Sequence, residues 1–419
     1  MKKILYFTLK LLSIAVIKKY QPKIIGITGS VGKTSSKEAI FSVIKKNWRV
    51  RRSIKNYNNE IGVPLTILNQ DTGGKSIVAW IKIVIAGLKL LVFKNKKYPQ
   101  ILILEMGADK PGDIKYLTSI APPDIAVLTA IGRSHLQNFG QLEKTIKEKA
   151  NILKPLSNEG FAILNNDDHN VSALFEQTQG QVLTYGKSED SDIQIDNIKI
   201  IKQKHIYGTS FDLNFEGGTW PVFLPQVLGK QHALAIASAC TVGLALGMDP
   251  ESIIKNLAHY QAARGRTNVL LGIKNSLVID DSYNSSPMSS KMVIDTLAEM
   301  KTEGSKIIVF GDMLELGAST EEQHQKIGKY IADTDVDYLF VVGERARDVR
   351  RGAIKAGMSE DKIYHFPSTT QAGLFLQDRI KEGDVILVKG SRGMKMEQVV
   401  YEIMARPWEA DDFLVGPVR

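Results

Sequence analysis

The residues of this chain that could do chemistry are few and follow short apolar runs. Residues 24–34 read IIGITGSVGKT, an apolar strand and then a glycine turn ending in Gly32, Lys33 and Thr34. Backbone N–H groups of Gly29, Ser30, Val31 and Gly32 can surround phosphate oxygens, because glycine permits close approach and unusual dihedrals. Lys33 would neutralise the terminal phosphates. The Thr34 hydroxyl, with Ser35 beside it, would open a helix whose N-terminus favours anions and could ligate Mg²⁺. The strict phosphate-loop spacing puts a glycine at 27, where Ile27 stands, so a turn that binds nothing is the plain alternative.

Other residues could share that phosphate. Glu105 ends ILILE, and the carboxyl edge of a parallel sheet is where ligands bind. A carboxylate there suits Mg²⁺, while the plain reading is a strand-end glutamate that caps a helix. His135, in IGRSHLQNFG, follows a third apolar run at the same expected edge; a lone loop histidine is otherwise structural or solvated. Lys149, in EKANIL, reads by itself as a solvated helix lysine. In GRT, Arg266 could reach a transferred phosphate, since a fixed guanidinium stabilises charge developing there. Asp281, in VIDDSYNSSP, could accept hydrogen bonds from a ribose, although that stretch also has the composition of a turn.

The elements that must position these residues are legible as a pattern. KIIGIT, ILILEM and DIAVLTAI alternate with helical segments at 35–46 and 142–153, the signature of a parallel sheet covered by helices. Residues 193–223 change to β-like alternation, a small meander on the same domain, and 232–248 read as a helix. From Arg266 onward LVID, KIIVFGD, YLFVVG and DVILVKG are strand-like runs separated by helical segments. The expected fold is α/β: a phosphate-loop central domain over 23–262 with a mostly parallel sheet, then a doubly wound, Rossmann-like domain over 263–419. The tail beyond Pro407 is expected to be loosely held.

Two apolar segments complicate this plan. Residues 1–22 contain ILYFTLKLLSIAVI behind Lys2 and Lys3, about fourteen residues where a bilayer span needs about 20. No cleavage pattern follows, so a docked or interfacial helix is expected rather than a signal peptide. Within about 75–97, in and around SIVAWIKIVIAGLKLLVF, Lys75, Lys82, Lys89 and Lys96 recur at seven-residue spacing. On a helix that spacing drifts only ~20° per heptad, giving one basic stripe on an apolar body. Such a helix either lies on an anionic membrane or packs on the N-terminal one as a covered lobe.

Composition sets the outer bounds. With 419 residues, 43% hydrophobic and 24% charged, the chain is an ordinary globular protein of two or three domains. A formal charge of +9 favours acidic ligands or surfaces, but it follows no recognised nucleic-acid module, and no nucleic-acid partner is expected. One cysteine, Cys240, excludes an intrachain disulfide and multi-cysteine metal sites, in keeping with a reducing cytoplasm.

The ordered series TGSVGKT, NYNNEIGVPLTIL, LEMGADKPGDI, IGRSHLQNFG, EKANIL, GRT, DDSYNSSP, FGDMLELG with His324 after it, and VKGSR resembles the Mur ligase family from about Lys23 to Ala405. FGDMLELG and VKGSR are similar to its UDP-N-acetylmuramoyl-tripeptide–D-alanyl-D-alanine-ligating branch. T-G-S-V-G-K-T is that family's own form of the loop, so Ile27 is no defect. The resemblance implies an ATP-dependent, ADP-forming amide ligase of peptidoglycan precursor synthesis that works through an acyl phosphate. It implies two Mg²⁺ ions, one on Thr34 and Glu105 and a second on His135 and a carbamylated Lys149. It further implies Arg266, Asp281 and His232 on the nucleotide, and Asn58, Asn59 and Asn284 on the substrate side. Lys389, Ser391 and Arg392 fall near the incoming D-Ala-D-Ala. A cytoplasmic monomer acting on a UDP-muramoyl peptide, with a possible peripheral contact to the inner membrane face, is the expectation.

Three features depart from the family. Only about 22 residues precede the first strand, where the family carries a domain that recognises the UDP-sugar. The adenine-side pattern appears as GKQHALAI, with Ala233 and Ile236 in place of asparagines. The lysine-striped segment is an insertion. These departures leave two rival readings: a ligase of the same family with another acid and amine, and a membrane-surface nucleotide-binding protein without turnover.

Overall fold

The computed structural model describes residues 2–54, 57–132 and 141–416. They form two sheets whose parallel strands are core-facing on both sides. The first holds nine strands: β1 (Lys23–Thr28), β2 (Val50–Arg52), β3 (Ile101–Glu105), β4 (Ile125–Leu128), β5 (Phe161–Asn165), β6 (Gln181–Gly186), β7 (Ile193–Gln203), β8 (Ile206–Phe215) and β9 (Gly218–Pro225). Their spatial order is β2-β3-β1-β4-β5-β6-β7-β8-β9, parallel from β2 to β7 and antiparallel through the β7–β9 meander.

Alternation explains why the central strands are apolar throughout. Ile24, Leu102 and Leu104 enter one core, and Ile25, Ile27, Ile101 and Ile103 the other. With successive side chains on opposite faces and both faces covered, no position on these strands is left for a polar residue until the strand ends. Glu105, the last residue of β3, is that end. Because β1 lies between β3 and β4, the loop after it opens at the point where the strand order reverses.

The second sheet has six strands: β10 (Asn268–Leu271), β11 (Leu277–Asp281), β12 (Lys306–Gly311), β13 (Tyr338–Val342), β14 (Ile363–Phe366) and β15 (Val385–Lys389). Their order is β10-β11-β15-β12-β13-β14, all parallel except the edge strand β10. Strands β11, β15 and β12 are neighbours, which brings DDSYNSSP, VKGSR and FGDMLELG to adjacent strand ends although more than a hundred residues separate the first two. As far as residue 416 the tail is held rather than loose: Leu414 is fully buried, and Arg392 donates to the Val415 carbonyl at 3.2 Å.

Five helices frame the site and the lobe beside it: α1 (Lys2–Tyr20), α2 (Lys33–Ile44), α3 (Gly62–Leu68), α4 (Ile77–Val92) and α5 (Asp113–Ile120). Helix α1 buries Leu9, Leu12 and Val16 in the core shared by α3 and β3, and α4 adds Ile83 to it. At Gly87 a β-carbon would meet Leu12 at 3.2 Å and Leu68 at 3.4 Å, so glycine is what lets α1 and α3 approach α4. Lys19 donates to the Leu90 and Leu91 carbonyls at 2.9 and 2.7 Å, closing the open C-terminus of α4. The two apolar segments therefore form one lobe. Among the described residues no helix is long and apolar enough to cross a membrane.

Candidate active site

The phosphate loop is built around Thr129, the residue after β4. Gly29 has φ +154°, and a β-carbon there would lie 1.9 Å from the Thr129 hydroxyl. Gly32, at φ +87°, turns the chain into α2. Thr129 donates its hydroxyl to the Val31 carbonyl at 2.6 Å, and Ser30 N–H donates to Ala130 O at 2.6 Å. The loop is thus fixed by the strand it adjoins, with Lys33 and Thr34 as the first residues of α2.

Glu105 faces them from β3. It is 4% exposed, and its Oε2 accepts from the Thr34 hydroxyl at 3.1 Å while Oε1 accepts from the Asn58 amide at 3.3 Å. Lys37, one turn beyond Thr34 on the same face of α2, places its ammonium 3.7 Å from Oε2. Burial pushes the Glu105 carboxyl up, but Lys37, Lys33, the Asn58 hydrogen bond and Arg266 together outweigh burial and hold it below the usual range. Lys33 donates to the Gly29 carbonyl at 2.6 Å, and burial lowers its pKa.

Lys149, in α6 (Leu142–Ala150), is not solvated. It is 2% exposed and donates to the same Gly29 carbonyl at 3.0 Å. Burial, followed by repulsion from Lys33, brings its pKa down to about 7. Taken alone, its place in EKANIL gave no sign of this, because the helix face it occupies is covered by a loop 120 residues away.

The second sheet supplies the opposite wall. Arg266 lies over the Tyr283 ring, 4.3 Å from its centroid. Asp281, at the end of β11, accepts from Thr267 N–H at 3.2 Å and from Lys389 at 2.5 Å. Together these groups line a cleft of about 490 Å³ whose walls run from Ser30–Ser36, Asn58, Glu105 and Lys149 to Arg266, Asp281 and Asn284.

Several expected contact residues have their polar atoms engaged within the protein, His232 among them although it lines the cleft. His232 is fully buried, with Nδ1 on the Tyr260 hydroxyl at 2.8 Å and Nε2 on the Arg266 carbonyl at 3.0 Å. A carbonyl only accepts, so Nε2 carries the proton and Tyr260 donates to Nδ1. Ala233 and Ile236 are fully buried in the core. Asn59 is turned to α3, where its Oδ1 accepts from Ile61 and Gly62 N–H at 3.2 and 2.9 Å. Lys389 and Ser391 are buried, and neither they nor Arg392 line the cleft. Ser391 instead accepts from Leu314 N–H at 2.8 Å, and His324 accepts from Met313 N–H at 2.9 Å. Both pin the loop whose residues Leu314–Leu316 do line it. His135 lies outside the described residues.

The donors present fit a magnesium ion. A buried carboxylate oxygen and a threonine hydroxyl converge within 3.1 Å at the mouth of a phosphate loop. Among the described residues no three His, Cys, Asp or Glu gather as a metal cluster, so an ion at Thr34 and Glu105 would complete its shell with phosphate and water, as Mg²⁺ does.

Comparison with known proteins agrees with this geometry. The Mur ligase middle domain matches residues 27–80 and 85–243, and the Mur ligase glutamate ligase domain matches 265–392. The UDP-N-acetylmuramoyl-tripeptide–D-alanyl-D-alanine ligase of Bacillus subtilis is 30% identical over 399 residues, 95% of this chain and 79% of that one. The chain belongs to the Mur ligase family. The same-named enzyme of Escherichia coli is 30% identical over 384 residues, covering 90% of this Mur ligase and 76% of its own length. A MurF ligase from Thermotoga maritima, solved in complex with ADP, superposes with a TM-score of 0.79 at 28% identity over 95% of this chain and 83% of that one. A Mycobacterium tuberculosis folylpolyglutamate synthase shares the fold, with a TM-score of 0.66 at 17% identity.

Lys37 is the site residue of this Mur ligase that sequence reasoning passed over. Its signal was present in TSSKE, where it falls three residues after Thr34 and so on one face of the helix that the loop opens.

Proposed function

We propose that this Mur ligase joins D-alanyl-D-alanine to a UDP-N-acetylmuramoyl tripeptide, coupled to cleavage of ATP to ADP and phosphate. One observation carries the reading. Lys33 and Lys149 meet at the Gly29 carbonyl, Thr34 and Glu105 pair at the same cleft, and Arg266 and Asp281 face them across it from the other sheet.

The chemistry has two steps. A carboxylate oxygen of the peptide attacks the γ-phosphorus, the bond to the bridging oxygen breaks, and ADP leaves behind an acyl phosphate. The amine of the dipeptide, neutral after losing one proton to solvent, then attacks the acyl carbon; the carbon–oxygen bond to phosphate breaks, the nitrogen's second proton passes to the departing phosphate, and the amide remains. Two anions must meet in the first step. Lys33 offsets that repulsion from the loop side and Arg266 from the opposite wall, where a planar guanidinium matches phosphoryl oxygens. Thr34 and Glu105 would hold one Mg²⁺, which supplies further neutralisation between the carboxylate and the triphosphate. Asp281 is available to ribose hydroxyls, and Asn58 stands on the acid-substrate side.

Lys149 is set up for carbamylation. At a pKa of about 7 much of its amine is neutral at neutral pH, and only the neutral amine attacks CO₂. A nitrogen–carbon bond forms, a proton leaves to water, and the product is a carboxylate-like ligand that, with His135, would hold a second Mg²⁺. We take the working unit as a cytoplasmic monomer. Purified protein incubated with UDP-N-acetylmuramoyl tripeptide, D-Ala-D-Ala, ATP and Mg²⁺ should release ADP and the extended peptide. ADP released only with another acid or amine would reassign the substrates.

A further inference from the structure

The lobe made by α1 and α4 exposes an apolar face that none of the described residues covers. Val78, Ile81, Ile85, Leu88 and Val92 follow one another at three- and four-residue steps along α4, and all five are exposed, Val92 to 72%. Ile4, Phe7 and Leu11 do the same along α1, with Phe7 61% exposed. Half of the large exposed apolar side chains of the described residues lie on these two helices. The opposite sides of the same helices are core: Leu9, Leu12, Val16 and Ile83 are buried. The outer stripe is therefore not what folds the lobe.

Charge says what covers it. Residues 1–22 and 75–97 together carry eleven lysines and neither Asp nor Glu. The formal charge of the whole chain is +9, so removing these eleven would leave −2; the entire positive balance of the protein belongs to this lobe. On α4, Lys82 and Lys89 each follow an exposed apolar residue, Ile81 and Leu88, at about 100° per residue, so the lysine row borders the apolar row on the solvent side. An acidic rim would be needed to pair these lysines with a second copy of the same face, and the face has none.

We propose that the α1–α4 lobe docks this ligase on an anionic membrane surface, with both helices lying in the interface. The apolar rows would enter the boundary between headgroups and acyl chains while the lysines meet lipid phosphates, the arrangement of an in-plane amphipathic helix. Neither helix is long and apolar enough to cross the bilayer, so the attachment is peripheral. Through α3 the lobe is continuous with the catalytic half: α3 packs between it and β3, and the loop that enters α3 carries Asn58 to Glu105.

Flotation of the full chain with vesicles tests this. It should rise with phosphatidylcholine vesicles containing phosphatidylglycerol, stay behind with phosphatidylcholine alone, and be released by salt. At about 1 kcal/mol for each lysine near the surface, replacing Lys82 and Lys89 by Gln should weaken partitioning about thirtyfold. Ile81→Ser with Leu88→Ser should weaken it at least as much. Neither pair touches the cleft, so ADP release measured without vesicles should match the parent chain. The proposal is overturned if the chain ignores both vesicle types, or if it binds and both double variants bind equally well. Sedimentation showing a dimer that the same substitutions split into monomers would also overturn it, giving the face to a second copy.

Discussion

Lys33 and Lys149 donate to one carbonyl oxygen, that of Gly29, at 2.6 and 3.0 Å. Two buried ammonium groups cannot share so small an acceptor without cost, and burial lowers the pKa of both. Burial and then Lys33 bring Lys149 down to about 7. Lys149→Ala should therefore lower product formation by about a hundredfold, the scale of losing a metal-site ligand, while leaving ADP affinity within a few-fold. Short carboxylic acids should restore part of the rate by filling the vacated position. With ¹³C-bicarbonate, the parent chain should show a carbamate resonance that grows as pH rises through about 7, and the variant none. Full activity in Lys149→Ala would end the carbamate reading.

Lys37 would compete with a Mg²⁺ ion for Glu105. Its ammonium stands 3.7 Å from Oε2 and is 2% exposed. At an effective dielectric near 20, a pair at such a distance interacts by ~4 kcal/mol before relaxation and water reduce it. Lys37→Met keeps the volume and removes the charge, so two opposite effects are expected. Without Mg²⁺ the variant should melt earlier, because a buried carboxylate has lost a partner. With nucleotide present, the Mg²⁺ concentration for half-maximal ADP release should fall by about tenfold. A variant needing more Mg²⁺ than the parent would show that Lys37 supports the ion instead.

Arg266 owes its position to a flat contact. The guanidinium lies over Tyr283, and its carbonyl is held by His232. Arg266→Lys retains one positive charge but loses both the stacking plane and the paired donors. If the residue stabilises charge that develops only during phosphoryl transfer, kcat should fall by about 10²–10³ with KM for ATP changed only a few-fold. An equal rise in KM with kcat preserved would instead make it a ground-state binding residue.

The strands were readable because both faces of each parallel sheet are buried, which leaves unbroken apolar runs ending in the residue that does chemistry. Glu105 and Asp281 were legible for that reason. Strand β14, IYHF, was not, since three of its four residues are only half-buried and no alternation or unbroken run marks it. The lysines were the hardest. Lys37, Lys149 and Lys389 are among the most buried side chains of the described residues, yet Lys37 and Lys149 stand in stretches whose polarity looks like a solvated surface, and Lys389 closes the apolar run VILVK. What covers them comes from elsewhere in the sequence: Glu105 on β3 for Lys37, Gly29 for Lys149, Asp281 for Lys389. His232 shows the reverse. Its motif marked it for the nucleotide, while its two ring nitrogens are both engaged in holding Tyr260 and Arg266.

That engagement has a consequence for acid stability. Burial holds His232 neutral and lowers its pKa to about 4, against an ordinary value of 6.5 in the unfolded chain. Between those two values the unfolded state binds a proton that the folded state refuses. Stability contributed by the neutral ring is therefore complete above about pH 6.5 and is lost as pH falls through the folded value. One proton over about 1.5 pH units corresponds to about 2 kcal/mol. His232→Gln cannot be protonated, although its amide can still donate to the Arg266 carbonyl. Its urea-unfolding free energy should accordingly fall less between pH ~7.5 and pH ~5 than that of the parent, by about that amount. At pH ~7.5 the variant should be the less stable of the two, having lost the hydrogen bond from Tyr260. A parallel acid loss in both proteins would assign the slope to other groups and leave His232 as packing alone.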